Sequence, residues 1–353
     1  MKILLINDFL KPQTHGIAIR FEQYIKYFRK KNHNVIVYGP SNCFTSDKVL
    51  PSIINKFNTD NRICFPSFEL ISDLLWNNYD IIHLVYPPCL PSIIVFFISF
   101  FKPLNIVSSN HVNMSYYGKT YNLFYFYYLV KFFICDLQYY FSKIIMAPSI
   151  SEDFKNLYNM ETTIIPTGID LDIFKFSSQK RESILLYVGR LAPEKNIDKL
   201  IKLFDNIKYY KLVIVGYGPE KRKLKELAKN NLNNSNIEFV GKIDHNELAS
   251  YYQKARAHIT LSESETFCLT LLESLACGTP IIYPKCNVFD SLYSKDFSDF
   301  CLTNENSLKN IIRHIEKNEL DLNFKCRDYS KKFSWEKATD KLLDIYDDIL
   351  DLH

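Results

Sequence analysis

Two glutamates, Glu265 and Glu273, flank the predicted start of a helix. The apolar run from His258 to Leu261 predicts a strand that delivers the chain to a polar loop at 262–266, and a helix is predicted from about Phe267 to Gly278. The free amides of a first helical turn can hold an anion such as a diphosphate, and a carboxylate further along can accept two hydrogen bonds from a ribose diol. Taken alone, the pair also fits a surface helix with solvated glutamates.

A second loop carries the positive charge that such an anion needs. Gly189 and Arg190 directly follow the apolar run at 183–188, and Lys195 lies in the same loop. The guanidinium fork of arginine matches phosphate oxygens, and a lysine ammonium is a compact point charge. On its own this loop could hold two solvated cations, but together with the two carboxylates it predicts a diphosphate site.

Glycine is scarce in this sequence and therefore informative. There are nine glycines, where average usage predicts roughly 25. We expect those that are present to lie where the backbone needs a positive φ or approaches a ligand closely. Gly216, Gly218 and Gly241 each follow a predicted strand. The pair Gly216 and Gly218 lacks the third glycine of a dinucleotide fingerprint, which disfavours an NAD enzyme.

The first half of the chain offers weaker candidates. Gly16 lies between the first predicted strand and a helix that extends to about Lys31, with Arg20 one turn into that helix. His111 ends another predicted strand, where a lone histidine is more often structural than catalytic. We take Arg20 and Tyr116 as candidate residues on the acceptor side of a cleft.

The elements that position these residues alternate between buried strands and amphipathic helices. This order predicts parallel sheets with helices on both faces, with ligands beyond the carboxyl ends of the strands. The pattern restarts after the polar stretch at 174–182. We therefore predict domains at 1–175 and 176–333 and a C-terminal helix at 334–353. The apolar run from Ile93 to Phe101 predicts a buried helix.

Composition excludes several classes of protein. The net charge of +4 is too small to argue for nucleic-acid binding, and no apolar run reaches the roughly 18 residues of a membrane span. The first residues predict a strand and not a signal peptide. The nine cysteines contain no CxxC pair, so we expect reduced thiols, a cytoplasmic protein and no metal site.

Taken together, these residues resemble the GT-B retaining glycosyltransferases of family 4, over nearly the whole chain. The resemblance implies an α/β fold of two Rossmann-like doubly wound domains facing across a cleft, with the C-terminal helix returning to the first domain. The motifs that carry it are Gly16, His111, 167–170, Gly189-Arg190 with Lys195, 216–219, Glu265 with Glu273, and 333–335. Within the family, 16–21 and 262–266 resemble sulfoquinovosyl- and glucosyl-diacylglycerol synthases.

Three positions depart from the family pattern. His15 and Cys268 stand where the family usually has glycine, and Thr167 stands where it usually has asparagine. The Cys268 side chain could crowd backbone contacts to the donor sugar. None of the three removes a charged site residue, so we expect activity.

The resemblance also implies roles. We expect a metal-independent transfer with retention from a nucleotide-sugar, with a UDP-sugar favoured, to a lipid or glycan acceptor, and no cofactor. Catalytic roles fall to His111, Arg190, Lys195 and Glu265. The implied donor-binding set is Gly16, Gly189, Arg190, Lys195, Gly216, Gly218, Gly241, Ile243, Glu265, Thr266, Phe267, Cys268, Leu269 and Glu273. The sequence Asp170-Leu171-Asp172 spells a DxD metal motif, which we discount because it lies in the inter-domain turn.

Two questions stay open at this stage. A nucleotide-sugar epimerase or phosphorylase, or a catalytically silent GT-B subunit, would carry the same architecture. An anionic membrane surface is a further candidate partner, because the first helix carries Arg20, Lys26, Arg29, Lys30 and Lys31 and an aromatic-rich stretch follows at 116–141.

Overall fold

A computed structural model describes residues 1–8, 10, 16–40, 43, 45–54, 62–86, 90–111, 141–147, 163–230, 236–263 and 265–351. Tyr116 and the aromatic-rich stretch up to residue 140 lie outside these residues. The chain divides into two compact units. Unit 1 comprises Met1–Gly168 and Trp335–His353, and unit 2 comprises Ile169–Ser334.

The described strands and helices alternate along most of the chain. The strands are β1 (Lys2–Ile6), β2 (Asn34–Pro40), β3 (Lys48–Leu50), β4 (Ser52–Ile54), β5 (Arg62–Cys64), β6 (Ile81–Tyr86), β7 (Ile106–Asn110), β8 (Ile144–Ala147), β9 (Thr163–Ile164), β10 (Ile184–Val188), β11 (Lys211–Val215), β12 (Ile237–Gly241), β13 (Ala257–Ile259), β14 (Ile281–Pro284) and β15 (Cys301–Leu302). The helices are α1 (Gly16–Lys30), α2 (Phe68–Trp76), α3 (Ser92–Ser99), α4 (Ile197–Phe204), α5 (Lys221–Lys229), α6 (Leu248–Lys254), α7 (Leu269–Ala276), α8 (Asn287–Phe297), α9 (Glu305–Lys317), α10 (Glu319–Ser330) and α11 (Trp335–Asp351).

Each unit contains one parallel sheet. The order in unit 1 is β3-β2-β1-β6-β7-β8-β9, and the order in unit 2 is β12-β11-β10-β13-β14-β15. Within the described residues every neighbouring pair in these two sheets is parallel, and β4 and β5 form a separate antiparallel pair. In both units the chain builds one side of the sheet from its first strand and then crosses to the other side. This is the doubly wound arrangement that the alternation of elements predicted.

The central strands of unit 1 are largely apolar because both faces of the sheet are covered. Side chains alternate across a strand, so Ile3 and Leu5 pack with α1 and α11, while Leu4 and Ile6 pack with α2 and α3. The same alternation separates the two cores of unit 2. The last helix, α11, belongs to the core of unit 1, as predicted.

The helix predicted over 93–101 exists as α3, but the prediction that it is buried was wrong in part. Its Val95, Phe96 and Ile98 face the core. Phe97, and the Phe100 that follows the helix, point to solvent. An apolar run without polar punctuation gives no periodicity from which to separate a buried from an exposed face.

The first boundary between the units lies at 168/169 and not at 175/176. The segment after Gly168 already packs in unit 2, where Ile169 and Phe174 are buried beside Leu186. The polar stretch that suggested the boundary contains Arg181, whose side chain is fully buried. Its guanidinium donates to carbonyl oxygens that follow α6 and α7, including those of Ala255 and Cys277, both at 3.1 Å.

The helix that carries Glu273 ends on a Schellman motif. Gly278 has φ 76°, a left-handed conformation that glycine adopts without a steric penalty. Its amide donates to the Leu275 carbonyl at 2.9 Å, and the Thr279 amide donates to the Ser274 carbonyl at 2.9 Å. The predicted helix-ending glycine is therefore confirmed, and the end of α7 is fixed.

Candidate active site

The topological switch point of unit 2 lies between β10 and β13. These two strands are neighbours, with Leu186 opposite His258, yet β10 continues to β11 on one side and β13 to β14 on the other. The loops that follow them therefore leave in opposite directions and open a crevice, which is where doubly wound sheets bind ligands. The loop after β10 contains Arg190 and Lys195, and the loop after β13 contains Glu265.

Direct contacts join these two loops. The Nζ of Lys195 lies 2.5 Å from Oε1 of Glu265, and both side chains are partly buried. The Nδ2 of Asn196 donates to the Leu261 carbonyl at 2.9 Å. The structure therefore brings together two of the residues that the sequence predicted for one site, a cation and a carboxylate at the mouth of the crevice.

Arg190 is held by a residue that the sequence analysis did not single out. Its guanidinium forms a close ion pair with the carboxylate of Glu194, which is buried. Burial by itself would raise the pKa of Glu194, but the charge and hydrogen bond of Arg190, together with Lys195, hold that pKa below its ordinary value. Glu194 therefore stays ionised and fixes the Arg190 side chain, part of which remains exposed. In the sequence, Glu194 lies between the cations Arg190 and Lys195, and this position is the signal from which its ion pair could have been predicted.

The glycines after β11 serve backbone packing. A Cβ on Gly216, which has φ 146°, would lie 1.9 Å from the Gly189 carbonyl oxygen, and one on Gly218 would lie 2.2 Å from that of Leu191. The Leu191 amide donates to the Tyr217 carbonyl at 3.0 Å. The close approach that we expected toward a ligand is thus, at these two positions, an approach to the neighbouring loop.

The glycine that ends β12 has more open space around it than the glycines after β11. Gly241 has φ 99°, and a Cβ there would meet nothing within 4 Å. Its carbonyl accepts from the Gly216 amide at 2.8 Å, so it joins the same edge of the sheet. Ile243, two residues on, is partly buried against the core.

The start of α7 differs from the prediction. The helix begins at Leu269 and not at Phe267, because Cys268 adopts a left-handed conformation with φ 67°. This is the conformation for which glycine is suited, and it gives a physical reason for the glycine usual at this position. The Phe267 ring is buried against Phe333, with ring centroids 5.8 Å apart, so the side chain is core and only its backbone is left for a ligand. Thr266 and Leu269 are partly buried.

Burial keeps Cys268 from acting as a nucleophile at neutral pH. Burial, and to a lesser degree the charge of Glu265, raises the pKa of the Cys268 thiol to about 12. Its sulfur lies 3.4 Å from the Thr270 hydroxyl. The thiol is therefore a small packing group at the helix start.

Glu273 is buried and held at both oxygens. The Nε2 of His245 lies 2.9 Å from Oε1, and the Tyr252 hydroxyl donates to Oε2 at 2.9 Å. Burial first, and then the charge and hydrogen bond of Glu273, raise the pKa of Tyr252 far above its ordinary value, so it stays a donor. His245 and Tyr252 were not predicted as site residues, because their distance along the chain hid their contact with Glu273.

The site residues predicted in unit 1 differ in their exposure to solvent. Gly16 begins α1 and is exposed, and His111 follows β7 and is buried beside Phe21, with ring centroids 5.4 Å apart. Burial, with the charge of Arg20, lowers the pKa of His111 well below its ordinary value. The imidazole is therefore neutral at pH 7.

The prediction that Arg20 faces a cleft was wrong. Its side chain is buried and donates to the Tyr24 hydroxyl and the Thr167 hydroxyl, each at 3.0 Å, and to the Ile165 carbonyl. Arg20 thus ties α1 to the segment after β9. The partner at i+4, Tyr24, was the sequence signal for a hydrogen bond within the helix.

Known proteins resemble this chain in sequence and in structure. Residues 169–333 match the family model described as Glycosyl transferases group 1. Alpha-monoglucosyldiacylglycerol synthase of Streptococcus pneumoniae is 28% identical over 80% of this chain and 70% of its own length. The protein of the same name from Acholeplasma laidlawii is 32% identical over 45% of this chain and 44% of its own length.

Two solved structures share the fold over their full length. Sucrose-phosphate synthase from Thermosynechococcus elongatus superposes with a TM-score of 0.77 at 20% identity, and covers 100% of both chains. Anabaena HepE in complex with UDP superposes with a TM-score of 0.75 at 15% identity, over 99% of this chain and 100% of that one.

Proposed function

The chain is a glycosyltransferase of the GT-B fold that carries a Glycosyl transferases group 1 domain, and from this premise we propose that it transfers a sugar from a UDP-sugar, with retention at the anomeric carbon, to a lipid or glycan acceptor. The observation that carries the proposal is the contact between Lys195 and Glu265 at the switch point of unit 2. The crevice there has a cation for a diphosphate next to a carboxylate for sugar hydroxyls.

The charges of this crevice suit a leaving nucleoside diphosphate. Arg190 and Lys195 stabilise the negative charge that grows on the diphosphate as the bond to the sugar breaks. Because buried Glu194 holds the Arg190 guanidinium, that stabilisation needs little reorganisation during the reaction. Glu265 contacts the donor sugar and steadies its developing positive charge, and Glu273 receives the ribose hydroxyls.

The names of relatives support the choice of donor and acceptor. HepE was solved with UDP, and the pneumococcal O-GlcNAc transferase GtfA was solved with UDP and GlcNAc. Two relatives in sequence are named as synthases of a glucosylated diacylglycerol. We therefore propose UDP-glucose and a diacylglycerol-type acceptor as the first pair to test.

The test is a transfer assay against a panel of donors. The purified chain is incubated with UDP-glucose, UDP-GlcNAc or GDP-mannose, in the presence and absence of vesicles that contain diacylglycerol. Release of UDP that requires the acceptor, with an α-linked product, supports the proposal. Conversion of a UDP-sugar without acceptor indicates an epimerase, and absence of turnover with every pair, alongside weak nucleotide binding, indicates a silent subunit.

The two glutamates are expected to divide binding from turnover. Glu273→Ala removes the acceptor of two ribose hydrogen bonds to a charge, each worth about 1.5–3 kcal/mol, so UDP affinity should fall by at least about a hundredfold. Glu265→Gln should spare UDP affinity more than it spares turnover, because its carboxylate acts on the sugar. Calorimetry with UDP and steady-state kinetics measure the two effects.

Two controls accompany these variants. Glu226→Ala changes an exposed glutamate on α5 and should alter neither quantity. Thermal unfolding checks that Glu273→Ala still folds, because it leaves the Tyr252 hydroxyl without this acceptor. Equal loss of UDP affinity in Glu265→Gln and Glu273→Ala would contradict the division of labour.

Activity is expected to persist in EDTA, because Arg190 and Lys195 supply the positive charge that a divalent ion would otherwise provide. The Asp170 carboxylate supports this expectation, because its Oδ1 accepts from the amides of Asp172 and Ile173 at 3.0 and 3.1 Å within its own turn. Initial rates in EDTA, in added Mg²⁺ and in added Mn²⁺ should agree within about twofold. Complete loss in EDTA with recovery in Mn²⁺ would assign the mechanism to Asp170 and Asp172 instead.

A further inference from the structure

Four aromatic side chains at one end of unit 1 are largely exposed. The exposed fractions are 83% for Trp76, 62% for Phe97, 66% for Phe100 and 89% for Phe101. We refer to these four residues as the aromatic tip. Scattered exposed apolar residues are normal in soluble proteins, but a contiguous group of large ones marks an interaction surface.

Lys102 shows that the aromatic tip is contiguous. Its Nζ donates to the carbonyl oxygens of Leu74 at 2.9 Å and Asn77 at 2.6 Å, at the carboxyl end of α2. Trp76 lies between these two acceptors, and Phe101 directly precedes Lys102. The end of α2 and the residues after α3 are therefore joined. Phe100 is further held edge-on against Phe141, with ring centroids 5.0 Å apart.

Lysines border the aromatic tip. The Nζ of Lys2 lies 3.5 Å from Oδ1 of Asn77, the residue after Trp76. The Nζ of Lys143 donates to Oδ1 of Asn105 at 2.6 Å, and Asn105 lies three residues after Lys102. Asp80 lies on the same edge, where its carboxylate accepts from the Lys2 backbone amide at 2.6 Å. A second aspartate, Asp73, accepts from Asn77 Nδ2 at 2.6 Å but pairs with Lys48 at 3.2 Å. The three lysines Lys2, Lys102 and Lys143 therefore leave this edge with a positive charge.

We propose that the aromatic tip, with Lys2, Lys102 and Lys143, docks unit 1 onto an anionic membrane surface. Tryptophan and phenylalanine enter the boundary between headgroups and acyl chains, and lysines beside them attract anionic headgroups. The same charges oppose a symmetric contact with a second copy, in which like lysines would face each other. In the described part of the chain no helix combines the length and apolar character needed to span a bilayer. The proposed contact is with the surface of the bilayer.

The charges of α1 make that helix a weaker docking surface than the sequence suggested. Arg20 is buried, Arg29 pairs with Asp47 at 2.7 Å, and Lys31 pairs with Asp340 at 2.7 Å. Two exposed lysines of α1, Lys26 and Lys30, serve as a control for docking through that helix. The aromatic tip lies at the amino ends of β1, β6 and β7, so docking there leaves the opposite edge of this sheet accessible. The inference therefore goes beyond the proposed function and does not require a lipid acceptor.

Tryptophan fluorescence provides a direct test. The sequence has two tryptophans, and Trp335 is only 4% exposed, so a change on vesicle binding reports Trp76. With vesicles of phosphatidylcholine and phosphatidylglycerol, we expect a blue shift, quenching by brominated acyl chains, and co-sedimentation that weakens in high salt. Phosphatidylcholine alone should bind at least about tenfold more weakly.

Variants locate the contact. Phe97→Ser combined with Phe101→Ser keeps Trp76 as the reporter and should weaken vesicle binding by at least about tenfold. Lys26→Gln combined with Lys30→Gln, on α1, should change binding by less than about threefold. Phe68→Ser, at the opposite end of α2 where the side chain is 91% exposed, should likewise have little effect. Thermal unfolding confirms that each variant folds.

Three results would overturn the proposal. The first is no binding of the wild-type chain to any vesicle. The second is binding that survives the Phe97/Phe101 change and is lost in the Lys26/Lys30 variant, which would assign docking to α1. The third is a blue shift that rises with protein concentration in the absence of vesicles, together with a dimer in light scattering, which would make a second copy the occupant. None of these results depends on the transfer assay.

Discussion

Replacing Arg190 by alanine is expected to lower turnover by roughly 10²- to 10³-fold, the usual cost of losing one preorganised donor to a developing charge. The guanidinium is positioned before any donor arrives, because its ion-pair partner Glu194 is buried and ionised. The loss should therefore appear mainly in kcat, while the affinity for UDP falls less. Steady-state kinetics with the preferred donor and calorimetry with UDP measure the two quantities.

Two further variants make this result specific. Glu194→Gln keeps the charge of Arg190 but removes the charge that positions it, so turnover should fall by less than in Arg190→Ala. Arg222→Ala changes an exposed arginine on α5 and should leave turnover unchanged. Near-normal turnover in Arg190→Ala would remove this residue from the proposed mechanism.

Replacing Arg181 by methionine is expected to lower the free energy of unfolding of unit 2 by about 4 kcal/mol or more. The buried guanidinium donates to the carbonyl oxygens of Tyr252, Ala255 and Cys277 and to the Asn323 side chain, at 3.0–3.2 Å. Methionine fills much of the volume but satisfies none of these acceptors, and each costs about 1–3 kcal/mol when left buried without a donor.

Thermal unfolding measures this loss. In a unit of this size, about 4 kcal/mol corresponds to a fall in Tm of roughly 8–16 °C. Burial lowers the pKa of Arg181 to about 10, so the side chain is charged at pH 7 and the effect should not change between pH 6 and 8. Lys180→Met alters the exposed neighbouring cation and should shift Tm by less than about 2 °C. A loss below about 1 kcal/mol in Arg181→Met would mean that water replaces the guanidinium.

The sheets could be predicted from the sequence because buried strands must be built from runs of apolar residues. Strands covered on both faces must be apolar throughout, so β1, β10 and β14 were visible as short apolar runs. The loops of the site were predictable for a related reason. A strand that ends in glycine and arginine, or in a run of small polar residues, places those groups at the edge where ligands bind.

The charged residues that the sequence misjudged have partners distant in the chain. Arg181 lies in a polar stretch that suggested a linker, because its acceptors are backbone carbonyls of α6 and α7, which carry no side-chain signal. Arg20 looked solvent-exposed for a similar reason, since one acceptor is the Ile165 carbonyl. No prediction was made for His83, which is buried in β6 and neutral because burial lowers its pKa to about 3; its contact with Tyr346 depends on the return of the last helix.

The path of the chain sets the order in which the units can be completed during synthesis. The polypeptide leaves unit 1 after Gly168 and re-enters it at Trp335, so the ribosome produces all of unit 2 before α11 emerges. At about 5–20 residues per second this takes roughly ten to thirty seconds. During that interval the face of the sheet that includes Ile3 and Leu5 is covered by α1 but lacks α11, the second helix that packs on it. Unit 1 therefore reaches its native core last, and its nascent form must remain soluble, or be shielded by chaperones, until unit 2 has been made.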